Sequence, residues 1–287
     1  MTFNPNVQLN PGQLQDRRGS RMGGGTMVAG GGGIGILFLI VSILLGADPF
    51  AGEMPISVQQ PGITTYNGQS IADCQTGADA NRREDCRMVG FVNSIQDYWS
   101  REFSGRGMQY REAETVLFTG AVQGQCGYAT DAQGPFYCPL DQKVYLDISF
   151  FQELEQRFGA SGGPFAQGYV VAHEYGHHIQ NLAGLLGNSQ RTGPESQAVG
   201  TELQADCFAG VWTHHATSTG YLQRVSEADI REALDAAGEV GDDRIQQRTQ
   251  GRVTPESWTH GSAQQRQQWF TTGYRSGDLD SCDTRSR

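Results

Sequence analysis

Two histidines four residues apart, His173 and His177, with Glu174 directly after the first, constrain this chain more than any other feature. If the segment is helical, residues i and i+4 share a face one turn apart, so both imidazoles can point at one metal ion. Glu174 then stands beside the ion, placed to act on water there and not to ligate it. Zinc is the expected ion, because imidazole suits it and a catalytic site needs three protein ligands and an open position. The residues just before, Gly168-Tyr-Val-Val-Ala172, are apolar, as in a helix entering a core. Gly176 inside the motif costs a helix about 1 kcal/mol relative to alanine. Close approach of another element or of substrate would explain its presence.

The third ligand decides what kind of site this is. A metzincin would continue with glycine at the third position after His177 and histidine at the sixth; Gln180 and Ala183 stand there instead. Further on, Glu202 and Asp206 have helical i, i+4 spacing. Glu202 would complete a His-His-Glu set, and Asp206 could hold the non-ligating nitrogen of a zinc-bound histidine. A solvated acidic face is the competing explanation. Against it, Leu203, Ala205, Cys207, Phe208, Ala209 and Val211 around the two acids read as buried, and buried carboxylates require partners.

With these motifs in place the chain resembles the putative neutral zinc metallopeptidase family of bacteria, membrane-anchored members of the gluzincin group. The resemblance rests on His173-Glu-Tyr-Gly-His-His178 and on Glu202-Leu-Gln-Ala-Asp-Cys207 with Ala209-Gly-Val-Trp212. It extends to Gly134-Pro-Phe-Tyr-Cys-Pro139, Val144-Tyr-Leu-Asp147, Gly241-Asp-Asp-Arg244 and Thr259-His-Gly-Ser262, covering roughly residues 85 to 285. It implies a zinc peptidase with His173, His177 and Glu202 as ligands and Glu174 as base, and leaves the substrate open.

Charge removes other classes. The net charge is -10 and Lys143 is the single lysine, so no basic patch exists for nucleic acid and none for tight docking on anionic lipid. Six cysteines without a Cys-x-x-Cys pair disfavour a zinc ribbon and suit an oxidising compartment. Their connectivity is open among about fifteen possibilities. Cys74–Cys86 and Cys126–Cys138 are the natural local pairs, which leaves Cys207 with Cys282.

The front of the chain carries the expected domain boundaries. Residues 1–21 are polar, lack apolar periodicity and read as a disordered cytoplasmic tail. Residues 22–47 hold no charge and run into Ile34–Leu45, long enough with the preceding glycines for a transmembrane anchor. Arg17, Arg18 and Arg21 before it predict the N-terminus inside and the catalytic domain extracytoplasmic, in the cytoplasmic membrane. A cleaved signal peptide is the alternative. Residues 48–85 read as a linker and 86–287 as the metallopeptidase domain. The expected architecture is therefore α+β: a zincin-like domain with a small sheet beside the His173 helix, preceded by one transmembrane helix.

Within that domain Met88, Phe91, Ile95, Trp99 and Phe103 form a core-facing helical stripe, and 114–119 and 143–147 are strand-like. Helices are expected over 150–158, 164–182, around Glu202, after Ser226 and over 262–273. His260, in a loop before the last helix, is a candidate to steady the developing oxyanion, with Arg244 and Tyr145 weaker candidates. In the mechanism so implied, Glu174 takes a proton from the attacking water and delivers it to the leaving amine. The expected partner is a peptide or protein substrate. Hydrolysis of another amide or ester is the rival chemistry, and a catalytically idle zinc-binding ectodomain the rival class.

Overall fold

The computed structural model describes residues 1–19, 70–130, 134–156, 160, 163–186 and 191–284. In chain order the elements are β1 (Thr2–Phe3), β2 (Leu14–Asp16), α1 (Gly77–Arg82), α2 (Glu84–Gly105), β3 (Glu114–Phe118), β4 (Ala121–Gly124), β5 (Gly127–Thr130), β6 (Phe136–Cys138) and β7 (Lys143–Asp147). They continue with α3 (Ser149–Gln156), α4 (Pro164–Leu182), α5 (Gln197–His215), β8 (Leu222–Arg224), α6 (Glu227–Glu239), α7 (Asp242–Gln250) and α8 (Ala263–Ser276). The class is mixed α+β.

The main sheet has the order β2-β3-β7-β6, with β2, β3 and β7 parallel and β6 antiparallel at the edge. One side of α4 is pinned to it. The Tyr175 hydroxyl meets Thr115 at 2.8 Å and donates to the Ala113 carbonyl, and His178 accepts from the Tyr137 hydroxyl at 3.0 Å. Through Nε2, His178 also donates to the Arg111 carbonyl at 2.6 Å. Because 175 and 178 lie off the 173/177 face, tying them to the sheet turns the two remaining histidines toward α5.

Helix α5 is buried almost throughout, as a helix apolar on every side should be. It crosses α4 very closely. A Cβ on Gly176 would lie 2.9 Å from the Ala205 backbone, so another element and not substrate explains this glycine. Helix α8 packs on the far side of α5 just as tightly: a Cβ on Gly273 would lie 1.9 Å from the Cys207 carbonyl oxygen. The α2 stripe is buried as expected, and all three disulfides, Cys74–Cys86, Cys126–Cys138 and Cys207–Cys282, are formed.

The front of the chain departs from expectation. Residues 1–19 are not a disordered tail: β1 pairs with β8, β2 adds a strand beside β3, and Phe3 is fully buried against Phe91. These residues lack periodicity because side-chain amides hold them. Asn81 accepts from the Phe3 N–H and donates to its carbonyl; Asn93 does the same for Asn10. Arg18 and Arg83 converge on Asp85. Folded structure also starts before Cys86, with α1 and Cys74, which is bridged to Cys86, inside the expected linker. The leading transmembrane helix is the second correction to the architecture: among the described residues no helix is long and apolar enough to cross a membrane. The stretch 22–47 expected to be that anchor lies outside the described residues.

Candidate metal centre

The α4–α5 crossing brings the expected ligand set together. One ligand atom from each of His173, His177 and Glu202 falls within 4.8 Å of the others, and all three residues are buried. His173 Nε2 stands 3.3 Å from Glu202 Oε2, and His177 Nε2 stands 3.4 Å from Oε1.

Each imidazole is held from behind. Asp206 Oδ1 takes the His173 Nδ1 hydrogen at 2.8 Å, and Gln180 Oε1 takes the His177 Nδ1 hydrogen at 2.8 Å. Both Nε2 atoms therefore face Glu202 and are available as ligands. His177 Nε2 and both Glu202 carboxylate oxygens are buried with no hydrogen-bond partner. Buried polar atoms without partners are costly, and a carboxylate with two imidazole nitrogens can all be satisfied by one cation. This donor set fits a metal ion of the zinc type.

Without a metal, a proton is the available cation. Burial lowers the His173 pKa, but Asp206 and Glu202 outweigh it and raise the imidazole to about 9. Burial takes His177 down to about 4.

Glu174 is buried and is not one of the three converging ligands. Burial pushes its carboxyl up to about 8; Glu202 adds to the rise, while His173 and a hydrogen bond from the Tyr137 backbone N–H oppose it. That last bond places edge strand β6 directly beside the candidate base.

Two features behind the ligands are illegible in the sequence. Arg266 of α8 is buried and grips Asp206 with Nε at 2.8 Å and Nη2 at 2.9 Å. Tyr169, one turn before His173, donates to the same Asp206 Oδ1 at 2.5 Å. Asp206 is thus bound by three groups, and despite burial Arg266 and His173 hold it well below the usual carboxylate range. Arg266 sits in Ala263-Gln-Gln-Arg-Gln-Gln-Trp269, which reads as a polar surface; only the count of buried acids, one more than the ion needs, hints at a missing cation.

His260 is buried, and Asp242 holds it: its Nδ1 lies 3.2 Å from Asp242 Oδ1, and its backbone N–H donates to Oδ2. Burial lowers its pKa, but the Asp242 charge raises it above the ordinary histidine value, and the imidazole is near enough to Glu202 to feel that charge as well. Arg244 and Tyr145 serve elsewhere, Arg244 pairing with Glu239 and Tyr145 with Asp141. His214 and His215 close α5 by bonding the Tyr274 and Gly277 carbonyls.

Comparison with known proteins agrees with this site. The chain is 51% identical over 255 residues to the uncharacterized protein Rv2575 of Mycobacterium tuberculosis, covering 85% of this chain and 84% of that one. It is 39% identical over 286 residues to the uncharacterized protein YpfJ of Escherichia coli K12, covering 94% of each. No solved structure matches. A family model described as putative neutral zinc metallopeptidase matches residues 7–285, which takes in both the buried His-His-Glu group and the N-terminal strand β2. The chain belongs to that family.

Proposed function

We propose that this chain is a zinc-dependent peptidase in which His173, His177 and Glu202 hold the ion and Glu174 is the general base. The observation that carries the reading is the buried convergence of three ligand groups, with His177 Nε2 and both Glu202 oxygens unpartnered, beside a fourth, non-ligating acid. Held by His173, His177 and Glu202, zinc would supply Lewis acidity, polarising a scissile carbonyl and making water more acidic. Glu174 accepts the proton as water attacks and returns it to the leaving amine. A cation close by favours the ionised carboxylate, so the base is charged when it is needed. His260, held in place by Asp242, steadies negative charge on the substrate oxygen.

Edge strand β6 gives the reading its substrate class. Its Tyr137 N–H reaches Glu174, so an extended peptide pairing along that edge would pass the base. Three formed disulfides favour an oxidising, extracytoplasmic setting. Strand β2 pairs with β3, so residues 1–19 share that compartment with the site. The test is incubation of purified protein with a mixed peptide library, with and without a chelator, alongside metal analysis. The expected result is one zinc per chain and cleavage that stops on chelation and returns with zinc. Stoichiometric zinc with no chelator-sensitive cleavage would sink the proposal.

A further inference from the structure

We infer that an amide relay, Gln180 to Gln204 to the Cys282 carbonyl, fixes the metal-binding tautomer of His177 and couples it to the Cys207–Cys282 disulfide. The inference rests on the zinc reading for its purpose, though its geometry stands alone.

The relay begins with an atom that can only accept. Gln180 Oε1 lies 2.8 Å from His177 Nδ1, so the ring hydrogen sits on Nδ1 and Nε2 keeps its lone pair for a metal. With the amide turned over, its NH2 would face Nδ1, and the ring hydrogen would move to Nε2, where it blocks ligation. Two further acceptors prevent that turn. Gln180 Nε2 donates to the Thr201 carbonyl at 2.7 Å and to Gln204 Oε1 at 3.1 Å, so a turned amide would set oxygen against oxygen twice. Gln204 is fixed in the same way, its Nε2 donating to the Cys282 carbonyl at 2.9 Å. The Cys282 backbone is tied to Cys207 on α5, 75 residues earlier, and Thr284 adds a bond to the Gly200 carbonyl.

Both amides are buried, Gln180 fully. Their neutrality has a physical reason. Asp206 orients His173 with Arg266 as counter-charge. A second acid behind His177 would add a buried negative charge beside Glu202 and Glu174, whereas an amide orients the ring without one. Gln180 and Gln204 are therefore positioning residues, and the disulfide braces the end of their chain.

The test compares wild type with Gln180→Met, Gln204→Met and the double variant Cys207→Ala/Cys282→Ala. Each is first checked for native circular dichroism. Cobalt affinity by chelator competition and the His177 ring tautomer in the metal-free protein, by long-range proton–nitrogen NMR, are the two readouts. Gln180→Met should weaken cobalt binding about 10- to 100-fold and populate the Nε2–H tautomer. Gln204→Met and the disulfide variant should shift both in the same direction by less. Wild-type tautomer and affinity in folded Gln180→Met overturn the relay. Failure of wild type to bind metal sinks the zinc reading instead, while the tautomer readout still decides the relay.

Discussion

The N-terminal segment and the metal centre are both built from polar contacts between residues distant in sequence, yet the backbone groups at Phe3 and Asn10 are paired within the chain while three ligand atoms of the metal centre are not. In the first, Asn81 and Asn93 each satisfy a backbone N–H and a carbonyl, and Arg18 and Arg83 neutralise Asp85. In the second, everything behind the ligands is equally well paired, but His177 Nε2 and both Glu202 oxygens are left without donors. Satisfied polar groups hold a fold together; unsatisfied ones converging on a point mark where something else binds. Substitution in the first region should therefore cost stability, and substitution in the second should cost chemistry.

Glu174→Gln should give the largest separation. Cleavage of a peptide found to be a substrate should fall about 10²- to 10⁴-fold, while zinc content and melting temperature stay near wild type. Loss of zinc along with activity would mean that Glu174 is a ligand and not the base. Phe3→Ala is its counterpart in the front segment. Removing a fully buried aromatic should lower unfolding free energy by about 3–5 kcal/mol. The protein that stays folded should keep its zinc and its turnover, and a drop in zinc affinity of comparable size would erase the distinction. His260→Gln should slow turnover about 10²-fold with zinc retained, judged by kcat at saturating peptide.

The smallest effect is one of pH. His173 is raised to about 9 without metal, so a proton occupies the site at neutral pH and must leave when zinc enters. Zinc affinity should rise about tenfold per pH unit up to about 9, and calorimetry in buffers of different ionisation enthalpy should report one proton released. The metal-free protein should behave oppositely. A raised folded pKa gives stability fully present below the unfolded value of about 6.5 and lost as pH rises through about 9.

What the sequence disclosed follows the same divide. Ligands on one helix face are spaced by the helix itself, so His173, His177, Glu202 and Asp206 could be read from i, i+4 pairs. The α2 stripe was legible because packing imposes a helical period on it, and strands β3 and β7 because each is a short, nearly continuous apolar run buried on both faces. Residues 1–19 carry no such period. Their partners lie about 80 residues away in the exposed Asn81 and the buried Asn93, and nothing local in the sequence marks either amide for that pairing. Arg266, Gln180 and Gln204 were hidden likewise: a buried polar side chain that acts through one partner leaves no local pattern.

The most direct test of the central claim is zinc X-ray absorption on the purified chain. The account predicts one zinc per chain with two imidazole nitrogens at about 2.0–2.1 Å and a carboxylate oxygen at about 2.0–2.2 Å, the oxygen ligand being lost in Glu202→Ala. Sulfur in the coordination shell, or a shell unchanged by that substitution, would contradict it.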